Sequence, residues 1–148
     1  MDTELAGLLF GQIIDKYHQA LGEFNRGNAK PVLDIFSREE DISLSNPVGP
    51  TVMGRSNVVK TAERVASTLR EGQATGFENL TRFVSCDFAY MVENEHYLAK
   101  VGGKPDFDQI ALRVTSIFRM ENSGWKMVHR HADPIVMEQP VETMIQAK

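Results

Sequence analysis

Helical spacing of apolar residues stops at Gly72, and from Ala74 to residue 136 the chain reads as strand after strand. Four segments there, near 75–86, 87–100, 108–121 and 124–136, are rich in β-branched and aromatic residues. The stretches "VSCD", "GGKPD" and "ENSG" separate them, and connections this short join antiparallel neighbours. Long meandering strands preceded by helices predict an α+β domain with its helices on one face of the sheet. If that sheet curves around the helices, a pocket opens between the two layers, where small apolar ligands commonly bind.

The helices come first. Leu5, Leu9, Ile13, Tyr17, Leu21 and Phe24 form one stripe of a helix over 3–26, which Gly27-Asn28 ends. Asn28 can cap a second helix over 29–37, with Pro31 in its first turn. "DISLS", residues 41–45, alternates like a strand, and "NPVGP" then reads as a turn or bulge. Val58, Ala62, Val65 and Leu69 mark a third helix over 56–71, capped by Ser56 and stopped by Gly72. Residues 137–148 read as a tail. At 148 residues the chain is expected to be one domain, 1–148.

The net charge of −4 argues against nucleic acid and anionic membranes as partners. Cys86 is alone, which leaves no internal disulfide and no cysteine-built zinc site. The first residues are acidic where a secretory leader is basic, and no apolar run reaches the roughly 18 residues of a membrane span. A cytoplasmic location is expected.

The stretch "WKMVHRHADP", residues 125–134, puts Trp125, Met127, His129, His131 and Asp133 on one face of a strand and Lys126, Val128, Arg130 and Ala132 on the other. His129 and His131 can be read as metal ligands, with Glu95 or Asp133 as a third, or as a hydrogen-bonded sheet surface. The missing clear third ligand and the nearby arginines disfavour the metal. A histidine can also serve as a general base, since its ordinary pKa lies near 6.5. Arg130, if buried, needs an acceptor, either Glu39 or Asp41 or an anionic ligand. His18 and His96 are expected at the surface.

The pair of helices around "FNRGNAKPVLDIFS", the "LSNPVGP" strand and turn, "FAYMV" and "LRVTSIFRMENSGWKMVHRHAD", in that order, resemble the nuclear transport factor 2-like superfamily. The similarity is to its SnoaL-like and ketosteroid-isomerase-like branches. It implies a cystatin-like cone: three N-terminal helices on a strongly curved mixed or antiparallel sheet, enclosing a pocket and usually dimeric. Steroid isomerases of this kind use an aspartate before Pro-Val-Gly as base, and a tyrosine and a protonated aspartate as oxyanion donors. Here Asn46 precedes Pro47-Val48-Gly49, Ala20 stands where the tyrosine would be, and Ser116 takes the second aspartate's place. An amide accepts no proton at neutral pH, so that mechanism is disfavoured. Tyr17, one turn before Ala20, is a possible substitute donor.

The resemblance also implies faces. With Ser116 toward the cavity, Val128, Arg130 and Ala132 share that side, as do Tyr90, Val92 and Asn94. Tyr17, Asn46, Tyr90, Ser116 and Arg130 are then expected around an apolar pocket walled by Phe24, Val92 and Phe118. Glu95, Arg113, His129 and His131 are expected as a charged network on the convex face, where such domains pair. Tyr17, His131 and Asp133 are the catalytic candidates. The expected ligand is a small apolar or weakly anionic molecule, bound without metal or cofactor by a homodimer. The alternatives are a cofactor-independent isomerase, cyclase or dehydratase on a small apolar carbonyl compound, and a homodimeric assembly domain.

Overall fold

The computed structural model describes residues 1–147; Lys148, the end of the expected tail, lies outside them. Helix α1 runs Thr3–Phe24, and Asp2 caps it by accepting a bond from the Leu5 amide at 2.8 Å. Its buried stripe is Ala6, Phe10, Ile14, Tyr17 and Leu21, one step round from the expected one, while Leu5 is 45% exposed. Tyr17 and Leu21 are common to both stripes, and in the first half of the helix the stripe with Phe10 wins the core because its ring buries more surface than Leu5 or Leu9. Leu9 and Ile13 pack at its margin. Gly27, at φ +95°, turns the chain into α2, Lys30–Ile35. The N-cap position is Ala29, and Asn28 accepts a bond from the Lys30 amide at 3.2 Å.

Strands β1, Ser43–Ser45, and β2, Val52–Met53, form a short hairpin around the Asn46–Pro50 turn. Helix α3 spans Arg55–Ala66. Its N-cap is Gly54, so Ser56 lies inside the helix instead of capping it. The helix also ends five residues earlier than expected. Ser67 and Thr68 donate their hydroxyls to the Arg64 and Val65 carbonyls at 2.6 Å each, which closes the last turn. β3 then begins at Leu69 and runs to Val84. Gly72 is therefore a strand residue, not a helix stop. Its amide donates to the Asn25 carbonyl at 3.1 Å, and a Cβ there would sit 2.5 Å from that oxygen. Only glycine lets β3 approach the end of α1 so closely.

β4, Phe88–Val101, β5, Phe107–Glu121, and β6, Gly124–Asp133, complete a six-stranded mixed sheet in the order β2-β1-β6-β5-β4-β3. β1 pairs with β6 in parallel and every other neighbour is antiparallel. Three register shifts along β3 let this long edge strand bend around α1. The result is an α+β, cystatin-like cone. Phe10, Phe36, Met91, Phe118, Trp125 and Met127 fill the core between helices and sheet. Among the described residues, no helix is long and apolar enough to cross a membrane.

Candidate functional site

A single irregularity in β6 decides which side chains meet the helices. Phe118 pairs with Met127 and Ile117 with His129, so Val128 is an extra residue with no partner on β5. Such a bulge resets the inward and outward alternation. Trp125 and Met127 face inward before it, and Arg130 and Ala132 face inward after it. The row from Trp125 to Asp133 is thereby split, and His129, His131 and Asp133 stand on the convex face. Val128 is half-buried.

On the inner face, paired residues bring Met91, Ser116 and Arg130 into line across β4, β5 and β6. Tyr17 reaches down to them from α1. Arg130 donates from Nε to the Tyr17 hydroxyl at 2.8 Å and from Nη2 to Glu95 Oε1 at 2.6 Å. Tyr97 donates to the same Glu95 oxygen at 2.6 Å, and Tyr17 donates to Oε2 at 3.2 Å. Ser116 Oγ lies 3.3 Å from the Tyr17 oxygen. Glu95 is 0% exposed and Arg130 is buried but for its cavity side, so this ion pair is largely desolvated. The expectation that Glu95 belongs to the convex network is thus corrected, and Glu95 replaces Glu39 and Asp41 as the partner of Arg130.

Burial pushes the Tyr17 and Tyr97 phenols above their usual range, so both are neutral donors. Burial also pushes the Glu95 carboxyl up, against the pull of Arg130 and the two phenols. It works against the Arg130 charge as well, yet the Glu95 carboxylate outweighs it and holds the guanidinium above its ordinary range. With a guanidinium and two phenols donating to Glu95, the pair is ionic at neutral pH.

Above this network lies a cavity of about 230 Å³ between the sheet, α2 and α3. Leu21, Phe24, Val32, Phe36, Val65 and Leu112 supply much of its wall, and Arg130 is its one charged residue among the described residues. Phe24 is there as expected. Phe118 lies in the core instead, and Val92 pairs with Thr115 in line with His131 on the convex side. Most polar groups of the wall are already committed. The Tyr97 hydroxyl donates to Glu95, Thr68 to the Val65 carbonyl, and the Asn25 amide to the Leu21 carbonyl. Arg130 Nη1 has no acceptor among the described residues, and Arg130 lines the cavity. Asn46 accepts the Val48 amide at 2.9 Å, which fixes its orientation, and its shielded Nδ2 has no partner. Thr61 also lines the cavity, and its hydroxyl has no partner among the described residues, so the uncommitted groups are two donors and one hydroxyl.

The other candidates lie elsewhere. Tyr90 is on the convex face, stacked on Phe83 with centroids 6.0 Å apart, which corrects its assignment to the pocket. Asn94, also expected inward, donates to Glu78 on the edge strand at 2.9 Å. Tyr17 and Ser116 sit beneath the cavity instead of in its wall. His131 is 3.2 Å from Asp133, which Arg113 holds at 2.8 Å, and the sheet separates all three from Tyr17. Burial raises the Asp133 carboxyl, but the Arg113 bond prevails and keeps it below the usual carboxylate range. His129 bonds Ser43 Oγ at 2.7 Å, and partial burial, helped by His131, holds its imidazole below the ordinary value.

A second buried carboxylate lies two residues before Glu95 on β4, on the helix-facing side with it and not on the convex face where the two glutamates are expected to continue the histidine row. Glu93 is 1% exposed, and both its oxygens lie within 3.1 Å of His18 Nε2. The His18 ring stacks on Phe77 at 3.7 Å. Two available signals were the position of His18 beside Tyr17 on α1 and the odd-numbered row Ala89, Met91, Glu93, Glu95, Tyr97 and Ala99, whose ends are apolar.

The architecture has solved relatives. A nuclear transport factor 2-like superfamily protein from Salmonella enterica is similar with a TM-score of 0.78 at 15% identity, covering 95% of this chain and 98% of its own. A candidate dehydratase of the nuclear transport factor 2-like family from Streptomyces avermitilis gives 0.75 at 19% identity, over 91% and 99%. A ketosteroid isomerase-like protein from Erwinia carotovora atroseptica gives 0.71 at 16% identity, over 88% and 96%. At such identities the likeness concerns the fold. No curated protein matches the chain significantly. The family model of the SnoaL-like domain matches residues 11–137, and the chain belongs to that family.

Proposed function

We propose that the chain binds a small, mostly apolar molecule bearing one hydrogen-bond acceptor, in the cavity above Arg130. One observation carries this reading: an apolar wall with a single charged residue whose Nη1 is left without a protein acceptor. A site walled mainly by carbon, whose one charged group among the described residues is a donor, favours a ligand that brings the acceptor. The volume of about 230 Å³ lies just below the roughly 300–1,000 Å³ of drug-sized sites, which favours a compact ring compound. Turnover has less support, because the Tyr17 hydroxyl is committed, Asn46 has no basic atom, and His131 and Asp133 lie across the sheet.

A thermal-shift panel of small cyclic compounds tests binding. A true ligand at about 100 times its Kd adds about 2.7 kcal/mol, or roughly 5–10 °C at this chain length. Ala62, buried on α3 in the cavity wall, allows a filled-cavity control. Ala62→Leu should abolish the shift while keeping the melting point of the free protein. A panel in which no compound acts, or acts equally on both proteins, would sink the reading.

A second reading, a homodimer through the convex face, has its own support. Phe83 and Phe88 are 52% and 44% exposed beside the Tyr90 stack, in a face otherwise rich in polar residues. Light scattering at micromolar concentration should give twice the chain mass, and Phe83→Lys should reduce it to one chain. A wild-type monomer rules this pairing out.

A further inference from the structure

We propose that Glu95 sets the ligand class of this cavity, making it select neutral acceptors, such as a ketone or lactone, over carboxylates. The inference rests on the binding reading above and goes one step further, since an arginine in an apolar pocket would ordinarily signal an anion. Arg130 is the one charged residue of the wall, and its charge is already balanced. The Glu95 carboxylate bonds Nη2 at 2.6 Å, is 0% exposed, and stays put because Tyr17 and Tyr97 also donate to it. The pair adds up to zero net charge. A carboxylate entering the cavity would shed its water, find no uncompensated cation, and stand close to a second carboxylate behind the guanidinium. Those costs are absent for a carbonyl oxygen, which needs only the N–H of Nη1.

The geometry also explains why the carboxylate itself is not offered to the ligand. Tyr97 lines the cavity and its hydroxyl caps Glu95 Oε1, while Tyr17 covers Oε2 from the α1 side. Glu95 therefore acts on the ligand through Arg130. It is a specificity-determining residue that need not touch what it selects. The other buried carboxylate, Glu93, is engaged by His18 and adds no positive charge that would offset Glu95.

The test uses a matched pair of probes, 4-tert-butylcyclohexanone and 4-tert-butylcyclohexanecarboxylate, titrated into the full chain at pH 8 and followed by NMR chemical shifts. The ketone should bind the wild type about tenfold or more tightly than the carboxylate, the ratio expected of one uncompensated ionic interaction. Glu95→Gln retains an acceptor for Arg130 and Tyr97 but removes the counter-charge. It should raise carboxylate affinity by about tenfold relative to ketone affinity, and that ratio is what the titration reads. Glu95→Met, which removes the charge in a different way, should shift the ratio in the same direction and stands in if the glutamine variant does not fold. Equal binding of both probes to the wild type, or a ratio that neither variant moves, overturns the role of Glu95 and leaves the binding reading standing. If neither probe shifts any resonance of the cavity wall, both fall together.

Discussion

Arg130→Met should lower the free energy of unfolding by about 3–5 kcal/mol at pH 8, measured by urea denaturation. The size follows from what is left behind. Arg130 supplies the closest charged bond to Glu95, which is 0% exposed, and methionine fills much of the volume but leaves that carboxylate uncompensated. The loss should shrink as the pH falls. Burial already raises the Glu95 carboxyl above its ordinary value of 4.5, and without Arg130 it rises further. For a carboxylic acid with a raised folded pKa, the stability is fully present below the unfolded value of 4.5. It is lost as pH climbs through the folded value. The variant should therefore approach the wild type in acid and diverge from it toward pH 8. Adding Glu95→Leu to Arg130→Met should restore most of the loss, since a buried pair replaced by apolar residues is often neutral. A single variant within about 0.5 kcal/mol of the wild type at pH 8 would show that the pair is hydrated in solution.

Phe10→Ala should cost a similar amount, about 3–5 kcal/mol, through a different mechanism. Phe10 is 0% exposed and meets Phe118 edge to face at 5.0 Å and Trp125 at 5.4 Å. Truncation removes the transfer energy of the ring, leaves a cavity, and dissolves two aromatic contacts worth about 0.5–1.5 kcal/mol each beyond burial. Trp125 reports the change directly. Its Nε1 donates to the Ala6 carbonyl at 3.1 Å, so the indole is anchored on the side from which the phenyl ring is lost. The melting point should fall by roughly 2–4 °C for each kcal/mol, with a shift in tryptophan emission. Phe10 is no part of the ligand cavity, so the folded variant should keep its binding. Unchanged stability would mean that the Phe10–Phe118–Trp125 cluster does not hold α1 to the sheet.

The layer order was legible because it needs only periodicity. Helices precede strands, "ENSG" makes a tight hairpin with Gly124 at φ +109°, and the strands of the meander fall within a few residues of their expected bounds after Gly72. The inner face of β4 was not legible, for a physical reason. Its even positions set Phe88, Tyr90, Val92 and Leu98 beside Asn94, His96 and Lys100, while the odd row carries Glu93 and Glu95 between apolar ends, so alternation alone marks neither row as the buried one. Burying the odd row requires Tyr17 and His18 from α1 and Arg130 from β6 to meet it, with Tyr97 of the same row closing the network, which no local pattern reveals. The early start of β3 was hidden in the same way. Gly72 looks like a helix stop until the Asn25 carbonyl is seen 2.5 Å from where its side chain would begin.

The unpaired Val128 has a consequence for how such domains can change. With the hairpin end of β6 held by Trp125 and Met127, every residue after the bulge depends on that one insertion for its direction. A deletion at this position removes only the irregularity: Met127 keeps Phe118, His129 keeps Ile117, and Arg130 still faces inward. The opposite change keeps every residue and pairs Val128 with Ile117, which turns His129 and His131 toward Tyr17 and carries Arg130 to the outside. A guanidinium-floored receptor and an imidazole-bearing pocket are thus two registers of one sequence, separated by a slip of a single residue in a hairpin arm.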